Sequence, residues 1–327
     1  MARNDDLWSA VLGGSNRKRA GIRHVRFLKG KAEKEQSAME YLLTYGWAIL
    51  IIAIVLGLLF QIGIFNGLTF GPRAQPGECQ VIRTFTGAQL VGLCNGELPQ
   101  YVGALNGQTS GGGGGNGNGN GGAGGIACVN STVPTMNLQT KEYNTVVFWM
   151  YWNGTLNESP VGYPGYFLWL STNSCIGFST GNKDAYGVSA TNLVNKWEMV
   201  AVEFYNGPYT LNSTLYLDGL NQSLYQCLPT AHTGLAKGNL LIGSSTGTKY
   251  RFTGALANVQ VYNTSLSSAD ILALYDEGLG GAPINLRNLV AWFPLNGNAN
   301  DYSGNTQNLV FAKCAYSYLG SYTVPTP

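Results

Sequence analysis

Two hydrophobic patterns divide this chain near Phe65. Before that point an almost unbroken apolar run, "YLLTYGWAILIIAIVLGLLFQIGIF", extends from Tyr41; at about 1.5 Å per helical residue its roughly 25 residues are long enough to span a bilayer. Beyond it the apolar residues come in short runs separated by Gly, Asn and Thr, the pattern of β-strands joined by turns. The runs are "CQVIRTF" from Cys79, "NTVVFWMYW" from Asn144, "GYFLWLS" from Gly165, "WEMVAVEFY" from Trp197, "STLYLDG" from Ser213, "NLLIGSS" from Asn239, "FTGALANVQVYN" from Phe252 and "NLVAWFPL" from Asn288. In a stretch of about 250 residues this spacing predicts a sandwich of two antiparallel sheets rather than a barrel. One short helix is expected at "SSADILALYDE", Ser267 to Glu277, where Ser267 can cap and Ile271, Leu274 and Tyr275 share a face.

The charge balance changes at almost the same place. Lys and Arg number 19 against 17 Asp and Glu. Nine of the basic but only four of the acidic residues precede Gln36, which leaves ten against thirteen afterwards. Arg17, Lys18, Arg19, Arg23, Arg26, Lys29, Lys31 and Lys34 crowd the side next to the apolar run. By the positive-inside rule they hold that side in the cytoplasm and send everything after Phe65 outwards. The basic stretch has neither aromatic interleaving nor a helix-turn-helix pattern, so no nucleic-acid partner is expected. The apolar run is too long for the core of a secretory signal peptide, and no small-residue cleavage site follows it. A plain single-pass anchor is one reading. It leaves Glu40 unexplained, because "QSAMEY" sets a carboxylate directly against the run and a carboxylate in hydrocarbon costs on the order of 3 kcal/mol.

The segment "QSAMEYLLTYGWAILIIAIVL" resembles the class III signal peptide of archaeal type IV pilin-like proteins. That resemblance implies removal of a leader, residues 1–35, by a prepilin peptidase between Glu35 and Gln36, leaving residues 36–66 as the helix of the mature subunit. The family's usual basic pair next to the cut is replaced here by "KGKAEKE". Cleavage would make Gln36 an amino terminus and Glu40 the fifth residue, a carboxylate one turn along that can neutralise the new amine of its own or a neighbouring helix. Gln36 and Glu40 are then assembly residues. Gly46, Gly57 and Gly63 stand where helices could approach closely. The implied partners are the membrane before assembly, the pilus assembly machinery, and identical subunits in a helical filament at the archaeal cell surface.

A second resemblance covers roughly 180 residues. Trp197 with "MVAVEF", "LYLDG" from Leu215, "LLIGSS" from Leu240 and "FTGALANVQVYNTSLSSADILALYDEG" from Phe252 are similar, in that order, to the laminin-G-like, concanavalin-A-like jelly roll. Its opening strand would be "YVGALNGQTS" from Tyr101. In that family a segment like "NLVAWFPLNGNANDYSGN" precedes the opening strand; here it follows the helix, from Asn288 to Asn305. Circular permutation is favoured over the stub of a second module. The expected divisions are therefore a connector at 67–97 and the jelly roll at 98–327. Its "GQTSGGGGGNGNGNGGAGG" stretch, 107–125, is read as a flexible solvent loop, since no Lys-Ser/Thr or βα context supports a phosphate loop.

Candidate chemistry is sparse. All six cysteines lie beyond the apolar run, where disulfides worth about 2 to 4 kcal/mol each are the default. The pairing adopted is Cys79 with Cys94, which flank a hairpin-like segment, Cys175 with Cys227, and Cys128 with Cys314. Zinc is not expected, because the only histidines, His24 and His232, stand on opposite sides of the apolar run. Glycosylation sequons begin at Asn130, Asn153, Asn157, Asn212, Asn221 and Asn263. The loop "NGNANDYSGN" offers Asn298, Asn300, Asp301 and Asn305 as hard oxygen donors for Ca2+, although the same residues also make turns for backbone reasons. No enzyme is expected. Glycoside hydrolysis needs two carboxylates roughly 5 to 10 Å apart. Glu198 and Glu203 fall on opposite faces of a strand, and Asp276 and Glu277 at a helix end. The leading expectation is a pilus subunit with a glycosylated exterior that can bind surface glycans; the alternative is a single-pass, lectin-like adhesin that does not polymerise.

Overall fold

The computed structural model describes residues 41, 43–59, 73–75, 77–92, 94, 98–107, 130–134, 142–206, 212–228, 235–246, 249–310 and 315–322. The chain divides into two units, Met1–Gly63 and Ile64–Pro327. In the first, residues 43–59 are helical. Consecutive side chains are exposed around the whole circumference, among them Leu43, Trp47, Ile49, Ile52 and Leu58. Of the helix expected over 36–66, residues 41 and 43–59 are described and helical, and among the described residues no helix is long and apolar enough to cross a membrane. Glu35, Gln36, Glu40 and Gly63 lie outside the described residues.

The second unit is an antiparallel sandwich. One sheet runs in the order Tyr225–Leu228, Ala185–Ser189, Cys175–Ser179, Tyr166–Leu170, Val161–Tyr163, Asn239–Ile242, Asn130–Pro134, Leu309–Val310. The other runs Leu220–Asn221, Thr214–Leu217, Trp197–Asn206, Glu142–Trp152, Thr253–Tyr262, Tyr101–Asn106, Ala315–Tyr318, with Leu289–Phe293 also paired to Thr253–Tyr262. Each strand read from the sequence is present.

The long central strands explain the layering. Along Glu142–Trp152, Val146, Phe148, Met150 and Trp152 point between the sheets, while Val147 and Trp149 enter a second core on the outer face. Trp197–Asn206 repeats this, with Val200, Val202 and Phe204 inside and Trp197, Met199 and Ala201 outside. Side chains alternate across a strand, so a strand apolar at every position needs cover on both faces.

Three pieces cover that outer face. The helix Ser268–Asp276 lays Ile271 and Leu274 on it. A capping box starts that helix: Ser267 Oγ accepts from Asp270 N and Asp270 Oδ2 accepts from Ser267 N, each at 3.1 Å. Gly278, at φ 80°, stops it. The hairpin Cys79–Thr84 and Gly87–Gly92, bonded through Cys79–Cys94, adds Val81. The third piece is the late segment, which returns to the sheet. Val259–Tyr262 pair with Leu289–Phe293, while Thr253–Leu256, on the same strand, pair with Tyr101–Asn106. Leu289 and Trp292 both enter the outer core.

The first sheet curls at one edge. Cys175 and Cys227 are bonded with Cα atoms 6.3 Å apart, yet their strands are second neighbours in the sheet, about 9.6 Å apart if flat. Gly177 faces Gly187 at the fold. A Cβ on Gly187 would sit 1.9 Å from the Ile176 carbonyl oxygen and 2.4 Å from the Gly177 Cα. The edge strand therefore rolls over a small third core of Phe167, Trp169, Cys175 and Ala185. Gly187→Ala is expected to cost about 1–3 kcal/mol through overpacking. Removing both Cys175 and Cys227, 52 residues apart, is expected to cost about 4 kcal/mol by loop entropy. Thermal unfolding reads both, and a wild-type Tm in either variant would count against this account of the curled edge.

Candidate functional site

The residues singled out in the sequence are mostly committed to structure. In the Asn298–Asn305 loop, Asp301 Oδ1 accepts from Trp292 N at 2.9 Å and Ser303 N at 2.8 Å. Its Oδ2 accepts from Ser303 Oγ and Gln307 N, both at 2.8 Å. Asn298 Oδ1 accepts from Asn300 N, and Asn305 Nδ2 donates to the Leu289 and Val290 carbonyls. The loop is cross-linked as a turn, and four protein donors stand on the carboxylate oxygens a calcium ion would use. Asn153, Asn157, Asn212, Asn221 and Asn263 are exposed; Asn130 lies on the Asn130–Pro134 strand. Cys128, Cys314, His24, His232 and the 107–125 loop beyond Gly107 lie outside the described residues.

The carboxylates divide by environment. Glu203 accepts from Ser265 Oγ at 2.7 Å, Leu266 N at 2.9 Å and the Thr214 hydroxyl, tying the approach to the helix onto the sheet. Glu198, buried, pairs with Lys196. Burial and a hydrogen bond to Asp218 push it up to about 7 against the pull of Lys196. Strand spacing missed this pair, because Asp218 comes from the turn after Thr214–Leu217 and meets Glu198 only through sheet pairing.

A different corner combines the features of a binding site. Phe167 and Trp169 point outward from Tyr166–Leu170 into the third core. Tyr250 lies over both, its ring 5.9 Å from each, stacked on Phe167 and edge-on to Trp169. Its backbone is left-handed, φ 53°, a strained state for an aromatic residue. The turn before it imposes that state: Ser244 Oγ donates to the Lys249 carbonyl at 2.8 Å, Lys249 N donates to Thr246 Oγ1 at 3.0 Å, and Ser159 N donates to the Tyr250 carbonyl at 2.8 Å. The indole N–H of Trp169 is buried with no acceptor among the described residues, and such donors are rare enough to need a reason.

Glu158, buried at 4% exposure, stands opposite Leu170, on the inner face of the sheet and so away from Phe167 and Trp169. Thr253 N donates to it at 2.8 Å, as does the Thr253 hydroxyl. Burial pushes Glu158 up to about 7, outweighing these bonds, which favour the charged form. Gly107, the foot of the glycine-rich loop, packs so close that a Cβ there would lie 2.5 Å from Thr253 Oγ1. Stacked aromatic rings, an orphan donor and a strained backbone thus meet around Tyr250. Single-residue motifs in the sequence give no sign of it, because the Phe167–Trp169 pair and Tyr250 come from separate segments.

A groove lined by Gln75, Asn258, Trp292, Asn296 and Tyr302 encloses only about 40 Å³. Its buried amides bond inward: Asn258 Oδ1 accepts from Trp292 Nε1 at 2.7 Å, and Asn296 Nδ2 donates to the Ala74 carbonyl at 2.9 Å. It seats the connector against the sandwich. Among the described residues no three His, Cys, Asp or Glu side chains gather as metal ligands.

Residues 121–272 match a laminin-G family model described as the concanavalin A-like lectin/glucanases superfamily. The described strands are those of an all-β antiparallel sandwich of this jelly-roll type. No curated protein matches the chain. Solved structures similar to it include a candidate carbohydrate binding protein of Bacteroides ovatus, with TM-score 0.44 and 13% identity over 72% of this chain and 64% of that one. The chain therefore spans less than two thirds of that protein. Domain 4 of the arabinanase AbnA from Geobacillus stearothermophilus, in complex with arabinotriose, gives TM-score 0.30 and 16% identity over 62% of this chain and 84% of that one. The CBM40 of a Ruminococcus gnavus IT-sialidase, bound to α2,3 sialyllactose, gives TM-score 0.29 and 15% identity over 46% and 96%.

Glu158 and Glu198 fix the sign of a pH effect. Each is raised from 4.5 to about 7 in the folded state, so between those values the folded protein binds protons that the unfolded chain has released. Their contribution to stability is full below pH 4.5 and is lost as the pH rises through about 7. Glu158→Gln and Glu198→Gln are each expected to flatten the fall in urea midpoint between pH 4.5 and 7.5. A variant that keeps the wild-type slope would show that its carboxyl is not so shifted.

Proposed function

We propose that this chain is an extracytoplasmic, lectin-like carbohydrate-binding protein whose ligand docks at the Tyr250 corner. The single observation that carries this reading is Tyr250 itself, partly exposed, held in a strained backbone state, and laid over two buried aromatic rings. Such a ring offers a flat apolar surface to the C–H face of a sugar. The fold supports the reading, and the two disulfides among the described residues fit an oxidising, extracellular setting. In this reading the domain binds without cleaving, and neither Ca2+ nor any other cofactor is required.

A second reading has its own support. A helix apolar around its full circumference cannot remain solvated, and the exposed side chains of residues 43–59 need lipid or other helices around them. Assembly of identical subunits into a pilus would supply that cover, with the sandwich displayed outside and the sequon asparagines glycosylated. Prepilin peptidase, the assembly machinery and the membrane are the partners this reading requires.

Glycan binding is tested by titrating the full chain in detergent micelles with a panel of oligosaccharides. Tyr250→Ala is expected to weaken the best ligand about tenfold or more, the loss of an aromatic contact with its burial. No binding to any glycan, or binding indifferent to this substitution, would reject the corner as the site. For the second reading, the mature N-terminus is expected to be Gln36, and Glu40→Ala to insert in membranes yet form no filaments in negative stain. An intact Met1 on dispersed single copies would leave only the anchored adhesin.

A further inference from the structure

We propose a second binding site, for an acidic sugar, at the tip of the Cys79–Gly92 hairpin. It is independent of the Tyr250 corner and shares no residue with it. Phe85 is fully exposed at 108%, although burying a Phe side chain would stabilise by about 2 kcal/mol. Its exposure is not a matter of slack. The disulfide Cys79–Cys94 closes the base of the hairpin, and Thr84 Oγ1 bonds the Thr86 hydroxyl at 3.0 Å and the Gly87 carbonyl at 3.1 Å at the tip. The ring is presented on a cross-linked support.

Beside Phe85 lies an open groove of about 550 Å³, lined by Arg83, Thr84, Phe85, Thr86 and Arg287. That is the size of an ordinary small-ligand site. The two cations in it pair with no carboxylate among the described residues. Arg83 spends Nε on the Ser303 carbonyl at 3.0 Å and Nη2 on the Leu289 carbonyl at 2.6 Å, acceptors that fix the guanidinium plane without neutralising it. Arg287 is exposed, and neither arginine forms an ion pair among the described residues. Beyond residue 35 the chain carries ten basic and thirteen acidic residues, so carboxylates are not scarce. Two like charges lining one groove in a net acidic segment repel each other until an anion enters.

The groove's chemistry narrows the anion. Guanidinium groups take a carboxylate in paired hydrogen bonds, the Phe85 ring needs an apolar surface to cover, and the threonine hydroxyls suit hydroxylated partners. A uronic acid residue of a polysaccharide has all three, whereas a bare phosphate or sulfate leaves Phe85 uncovered.

Calorimetric titration of the full chain in detergent micelles with trigalacturonic acid tests the assignment. The trisaccharide is expected to bind, more weakly at higher salt, while neutral galactotriose does not. Arg287→Gln and Phe85→Ala are each expected to weaken binding about tenfold with Tm unchanged, since both side chains are exposed. Tyr250→Ala is expected to leave trigalacturonate binding as it was. No binding, equal affinity for galactotriose or for a glutamate tripeptide, or an unchanged affinity in Phe85→Ala would overturn the proposal. Loss of binding in Tyr250→Ala would move the acidic ligand to the other site and equally overturn it.

Discussion

The strands Glu142–Trp152 and Trp197–Asn206 have no face that tolerates water, and the organisation of the outer unit follows from that constraint. A half-solvated antiparallel sheet alternates apolar and polar residues. These two carry Val146, Phe148 and Met150 on one side and Val147 and Trp149 on the other, with Val200 and Val202 opposed to Met199 and Ala201. The first sheet covers one side. The second side is covered from three directions by the helix, the disulfide-closed hairpin and the returning strand, and removing any of them would bare tryptophan and methionine to solvent. The connector hairpin is therefore part of the sandwich's packing, with Val81 in the outer core and Arg83 bonded across to residues more than 200 positions away.

The other sheet meets the opposite problem at its edge. Its outward aromatics, Phe167 and Trp169, have no layer above them, and the curl at Gly177 and Gly187 rolls the sheet's own edge strand over them. Tyr250 completes the cover from the other side. Cover there is completed by a single partly exposed ring rather than by a helix. The same contrast separates the hairpin's two faces: the inner one is packed, and the tip holds Phe85 and a groove whose two arginines form no ion pair among the described residues.

Strand positions, the capped helix and the sandwich class were legible in the sequence, because alternation and turn residues are local properties written in consecutive positions. The apolar run at Tyr41–Phe65 was equally plain, as was its chemical demand for an apolar surrounding. Periodicity could not reveal which carboxylates meet. Glu198 and Glu203 are separated on one strand as spacing requires, yet Glu198 finds Asp218, a turn residue brought alongside by the register between Trp197–Asn206 and Thr214–Leu217. The oxygen-rich loop Asn298–Asn305 read equally well as a cation site or as a turn, because composition does not say where its donors point; hydrogen bonds from Trp292, Ser303 and Gln307 occupy Asp301 in the folded chain.

The sequence by itself determined which segments must be strands, which must leave water, and where charge accumulates, since each depends on neighbours no more than a few residues away. The tertiary structure alone decided that Phe167, Trp169 and Tyr250 stack together, that Phe85 stands beside two arginines with no ion pair among the described residues, and that Leu289–Phe293 closes the outer core. Those outcomes rest on pairings between residues tens to hundreds of positions apart, set by which apolar faces can be buried together.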